Sequence, residues 1–100
     1  MGRMIRTHAF VDGAEVTGEG IGKTGWIEVV APTADEQRAL VSELGVHELS
    51  IADALRIAHP PKVEEFDDHL FIIAHTPVTE DDRMTRKLSV FLSRDWVVTI

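Results

Sequence analysis

The chain of 100 residues has no cysteine, so it can form no disulfide, zinc finger or thiol nucleophile, a composition that fits a reducing compartment. Continuous apolar sequence is scarce. The longest uninterrupted run, Leu70 to Ala74, is far short of the roughly 18 residues that indicate a membrane span, so these residues taken alone read as soluble. The opening MGRMIRTHAF has neither the apolar stretch nor the small-residue cleavage site of a secretory signal. It starts with Met1-Gly2 but carries Arg6 where N-myristoylation requires Ser or Thr. Basic residues are in the minority: ten Lys and Arg against seventeen Asp and Glu leave a net charge of −7. That balance argues against nucleic acid as a partner, because a phosphate backbone is bound by clustered bases.

What is present matches a small globular domain. The apolar fraction is 44% and the charged fraction 27%, and the length suits one core but not two. The charge is unevenly spread. Val63 to Asp82 holds seven carboxylates and no Lys or Arg, whereas Arg83 to Ile100 holds four bases and one acid. An acidic stretch of this kind is either plain solvated surface or a surface that attracts cations or a basic partner.

Turn and strand signals organise the first third. Met4 to Val11 and Ala14 to Thr17 flank Asp12-Gly13, which predicts a hairpin. The following GEGIGKTG is not a Walker A loop, since no glycine stands five places before Gly22, and no helix pattern follows to make it a dinucleotide fingerprint. It reads as a mobile loop. WIEVVAP, Trp26 to Pro32, is rich in β-branched residues and predicts a strand ending at the proline.

Two helices are expected next. Thr33 and Glu36 form a capping-box pattern, Ala39, Leu40 and Leu44 supply an apolar stripe, and Gly45 is placed to end the helix. A second capping-box pattern, Ser50 to Asp53, predicts a shorter helix buried through Ile51, Leu55 and Ala58 and closed by Pro60-Pro61. KVEEF, Asp67-Asp68 and HLFIIAHTPV then read as strand, turn and strand. Leu70, Ile72 and Ala74 share one face of the second of these strands and Phe71 and Ile73 the other, which predicts a central strand covered on both sides. After the polar turn EDDRM come KLSVFL, the turn Arg94-Asp95 and WVVTI. The order ββ-β-αα-ββ-ββ is α/β, with a mixed, largely antiparallel sheet and helices packed on it. The last strand has no polar tail, so its end is expected at or inside the sheet, as in a truncated domain.

Several side chains are candidates for chemistry. His47, His59, His69 and His75 include no pair at the i, i+4 spacing of a zinc-protease helix. His69 and His75 share strand parity but lie about 20 Å apart when extended. His59 and His69 are expected in loops or at strand edges. Lys62 and Glu64 suit a surface ion pair, and Asp67 and Asp68 suit a turn or a loose cation contact. Asp53 is placed to cap the second helix.

The segments WIEVVAPTADEQ, LGVHELSIADAL, HPPKVEEFDDHLFIIAHT and LSVFLSRDWVVTI, in this order from Trp26 to Ile100, resemble the N-terminal cytoplasmic domain of CorA-type divalent-cation transporters. The resemblance implies a magnesium or cobalt transport protein, not an enzyme, with the CorA soluble-domain fold. It implies a single domain over residues 1–100 on the cytoplasmic side of the cell membrane, with the stalk and transmembrane helices of the family missing from these residues. It further implies that the full-length protein is a homopentamer, in which this domain's partners are its own stalk and membrane segments. Asp53 aligns with the family's Asp at a regulatory magnesium site between subunits, opposite an Asp of the adjacent stalk. Ala52 stands where magnesium-regulated members often carry a second acid. The implied function is sensing of intracellular magnesium at subunit interfaces to gate the pore. The zinc-transporting branch of the family, a freestanding binding module without a channel, and a metal-dependent hydrolase are the alternatives.

Overall fold

The computed structural model describes residues 4–11, 14–22, 24–56, 58–77 and 85–100. Along the chain run β1 (Met4–Val11), β2 (Ala14–Glu19), β3 (Gly25–Val30), α1 (Ala34–Leu44), α2 (Glu48–Leu55), β4 (Lys62–Glu65), β5 (His69–Pro77), β6 (Thr85–Ser93) and β7 (Trp96–Thr99). The strands form one sheet in the order β2-β1-β3-β7-β6-β5-β4. Only β3 and β7 run parallel; the other neighbouring pairs are antiparallel. The expected element order and the mixed, largely antiparallel sheet are both observed.

Local chemistry explains the elements. Thr33 accepts from the Glu36 backbone N–H at 3.2 Å while the Glu36 carboxylate accepts from the Thr33 N–H at 2.9 Å, so the capping box starts α1 by satisfying two donors that the helix cannot reach. Gly45 ends it in the left-handed region, φ 75°, where a side chain is strained. Gly25, φ 93°, opens β3 so close to β1 that a Cβ would lie 2.3 Å from the His8 carbonyl oxygen, which only glycine avoids. The glycine-rich run is less loop-like than its composition predicts. Gly18 and Glu19 extend β2, and Thr7 ties the next residues to β1 by donating to the Gly20 carbonyl and accepting from the Gly22 N–H.

Both helices lie on one face of the sheet. Phe71, Phe91, Val98 and Ile27 occupy one cross-strand row and are fully buried. Phe71 and Phe91 stack at 4.7 Å between ring centroids. Leu40 and Leu44 of α1, Val46, and Ile51 and Ala54 of α2 close over this row. Side chains of 0% exposure on four adjacent strands make this row the centre of the core.

Two expectations about placement change. β5 is not central: it lies next to the short edge strand β4, and β7 holds the middle of the sheet. Among the described residues no helix covers the opposite face, where Trp26, Val30, Val63, Leu88 and Leu92 are exposed. Both helices come from the single connection between β3 and β4, and one such connection covers one side. The second helix starts three residues earlier than its sequence pattern predicts. His47 is the N-cap, its Nδ1 accepting from the Leu49 N–H at 3.2 Å, and Ser50 lies inside the helix, buried. The frame shift buries Ala54 and leaves Leu55 and Ala58 exposed. The predicted turns at Asp12-Gly13 and EDDRM lie outside the described residues.

Truncating Phe71 to Ala removes a ring from the fully buried row and is expected to cost about 3–5 kcal/mol, whereas Thr33→Ala loses one cap at about 1 kcal/mol. Urea denaturation of the two variants checks the ranking; equal losses would contradict it.

Candidate functional site

The frame shift of α2 changes the setting of Asp53. It is the third residue from the end of the helix, not a first-turn cap, so its carboxylate sits near the negative end of the helix dipole, where an anion is disfavoured. Polar groups from three directions, two of them lysine ammoniums, compensate. Lys62, the first residue of β4, donates from Nζ to Asp53 Oδ2 at 2.6 Å. His59 Nε2, in the connection after the helix, lies 3.7 Å from Oδ1. Lys87 rises from β6 beneath α2 and donates from Nζ to the Asp53 carbonyl at 2.7 Å and to the Arg56 carbonyl. It thereby adds a second donor to the Asp53 carbonyl, which also accepts from the Arg56 cap N–H at 3.3 Å, and supplies one to the Arg56 carbonyl just beyond the helix.

The covered face of β4 explains how Lys62 gets there. Lys62 and Glu64 pair across the ladder with Ile73 and Phe71, whose side chains face the helices. Lys62 therefore points under α2 with its ammonium 5.4 Å from the Phe71 ring centroid, a favourable position over an aromatic face. The surface ion pair expected between Lys62 and Glu64 exists at 2.6 Å, but the same ammonium is also held by Asp53. Side-chain exposures of 26% for Lys62 and 25% for Asp53 against 43% for Glu64 rank the Asp53 contact as the better shielded of the two.

These contacts move the titrations. The hydrogen bond from Lys62 holds the Asp53 carboxyl below its ordinary value, against the opposing effect of burial. The Asp53 and Glu64 carboxylates raise Lys62 above its ordinary value. Burial of Lys87 lowers it.

The other predicted site residues do not converge on Asp53. His47 caps α2 and stacks on Phe66 at 5.2 Å. His69 stands at the start of β5, as expected, but is only 5% exposed, stacked on Phe66 at 4.7 Å, and donates from Nδ1 to Asp68 Oδ1 at 2.7 Å, a contact that holds Asp68 below its ordinary value. Its Nε2 is buried without a hydrogen-bond partner among the described residues. His75 Nε2 donates to the His59 carbonyl at 2.8 Å. Asp67 and Asp68 form the bend between β4 and β5. Among the described residues no three His, Asp or Glu side chains gather in a metal-holding group. A groove of about 520 Å³ between β1 and α1, lined by Arg6, Glu19 and Glu36, lies away from Asp53.

Asp53 stands out in the sequence, but the groups around it do not. Lys62, His59 and Lys87 reach it across separations of 9, 6 and 34 residues through the packing of α2 on the sheet, a relation that helix or strand periodicity does not encode. The one usable signal was the strand parity of Lys62 with Glu64.

Asp53→Asn tests the pairing through pH. With its folded pKa depressed, Asp53 contributes stability above about pH 4 that is lost as pH falls through that lowered value. Lys62, with its folded pKa raised, contributes stability below about pH 10.4 that is lost as pH rises through the raised value. The stability gap between wild type and Asp53→Asn in urea denaturation is therefore expected to be widest near neutrality and to close at both extremes. A gap that is flat with pH would show that the pair is not the cause.

Comparison with known proteins gives the fold a context. The family described as CorA-like Mg2+ transporter protein matches residues 22–100. A cobalt/magnesium transport protein CorA of Methanocaldococcus jannaschii is 28% identical over 75 residues, covering 75% of this chain and 24% of its own length. The solved soluble domain of CorA from Methanocaldococcus jannaschii superposes with a TM-score of 0.73 at 23% identity, covering 97% of this chain and 39% of that one. The complete CorA structure from the same organism gives 0.70 at 23% identity, covering 100% and 32%. The chain thus spans about a quarter of the length of the curated relative it matches, and no helix among the described residues is long and apolar enough to cross a membrane. The family match extends from just before β3 through β7 and takes in Asp53, Lys62 and the core row; the chain belongs to the CorA-like Mg2+ transporter protein family.

Proposed function

We propose that this chain is the cytoplasmic regulatory part of a divalent-cation transporter, and that it senses intracellular magnesium at a boundary between subunits. Membership of a transporter family supports the class, and a relative named for cobalt and magnesium transport supports the cargo. The observation that carries the regulatory reading is the setting of Asp53: a carboxylate near the end of α2, a quarter exposed, with Oδ2 engaged and Oδ1 turned toward His59 at 3.7 Å. Magnesium favours carboxylate oxygen, keeps several waters and takes one or two protein carboxylates. Asp53 fits such a half-site and no more, since its remaining neighbours, Lys62 and His59, add no carboxylate. The complement must come from another polypeptide, and the resemblance points to an acid of the adjacent subunit's stalk.

Gating would follow from repulsion and linkage. Copies of this acidic domain, each of net charge −7, would repel when ringed in a pentamer, and the repulsion between facing carboxylates would be offset when they share a divalent cation. That arrangement is favoured in proportion to the cation present, and is lost as intracellular magnesium falls. The uncovered sheet face around Trp26, Val63 and Leu92 would pack against the remainder of the longer protein, because an apolar surface of that breadth gains by burial.

In the full-length transporter, magnesium chloride is expected to protect the wild type from protease in a saturable way and to lose that effect in Asp53→Ala. Equal protection of both proteins would remove Asp53 from the site.

A further inference from the structure

Lys62 has two carboxylate partners at the same distance, Asp53 Oδ2 and Glu64 Oε1, each 2.6 Å from Nζ. We propose that Lys62 is a tethered competitor for the divalent cation: it neutralises Asp53 when the site is free of metal and is retained by Glu64 alone when Asp53 turns to the metal. This rests on the reading of Asp53 as a cation ligand and adds the group that sets its affinity.

An ammonium against Asp53 and a dication on the same carboxylate repel one another, so both cannot hold Oδ2 together. A lysine without a second partner would have to be expelled into water, whereas here the second carboxylate is two residues along the same strand, on the same face, and more exposed than Asp53. The Phe71 ring 5.4 Å from Nζ keeps the ammonium at this position during the exchange. Asp53 near the negative end of α2 would be destabilising if left bare. Lys62 removes that penalty in the metal-free form, and in doing so weakens cation binding. Weak binding is what a sensor of an abundant ion needs.

The test is magnesium chloride titration of the full-length transporter, read as the midpoint of protease protection. Lys62→Met is expected to lower the midpoint about three- to tenfold, the scale of a part-shielded ion pair together with the repulsion it exerts. Glu64→Gln, at the more exposed of the two carboxylates, is expected to raise the midpoint, because Lys62 then has only Asp53 to hold. In the Lys62→Met background the same Glu64 substitution is expected to shift nothing further. An unchanged or higher midpoint in Lys62→Met, with protection still abolished by Asp53→Asn, would overturn the competition and leave the site standing. A Glu64→Gln shift that persists without Lys62 would reduce its effect to long-range charge and also overturn the exchange. Protection unaffected by Asp53→Asn would instead refute the underlying site.

Discussion

The contact between Asp53 and Lys62 joins the end of α2 to the edge strand β4, and the candidate site is organised around it. A carboxylate in the last turn of a helix is unfavourable in isolation. It is tolerable here because the sheet presents Lys62 from β4, while Lys87 from β6 satisfies the carbonyls at the same helix end. Helix, edge strand and inner strand are thus held in register by two ammonium groups, above a row of buried aromatic and branched side chains.

The same arrangement determines what the site can do. One carboxylate paired with a lysine is a poor metal trap within a single chain, and in the proposed reading it would respond to metal only with a second carboxylate and another partner for the lysine. Glu64 supplies that alternative. The apolar core lies directly beneath: Phe71 both anchors the core row and lies beside the Lys62 ammonium, so the buried row and the Asp53 pair share a residue.

Much of the architecture was legible because the signals were local. Thr33 with Glu36, Gly45, and the alternation of HLFIIAHT each specify their own element from adjacent residues. The errors have a common origin in competition between local signals or in tertiary packing. Ser50 and Asp53 match a capping box, yet His47 accepts from the Leu49 N–H three residues earlier, and starting there buries Ile51 and Ala54 in the core. His69 carries a polar ring that composition assigns to an edge, but Asp68 takes up its Nδ1–H and Phe66 covers its face. The partners of Asp53 were invisible for the same reason: they lie on three different elements. Which face of the sheet the helices cover is likewise not encoded in β5, whose side chains are apolar on both sides.

The most direct measurement of the central claim is crystallography of the intact transporter with manganese in place of magnesium, locating the metal by its anomalous signal. The account predicts an anomalous peak beside the Asp53 carboxylate at a boundary with a neighbouring subunit, with Lys62 Nζ held by Glu64 and withdrawn from Asp53. Asp53 still paired with Lys62, buried away from every subunit boundary and without a peak, would contradict it.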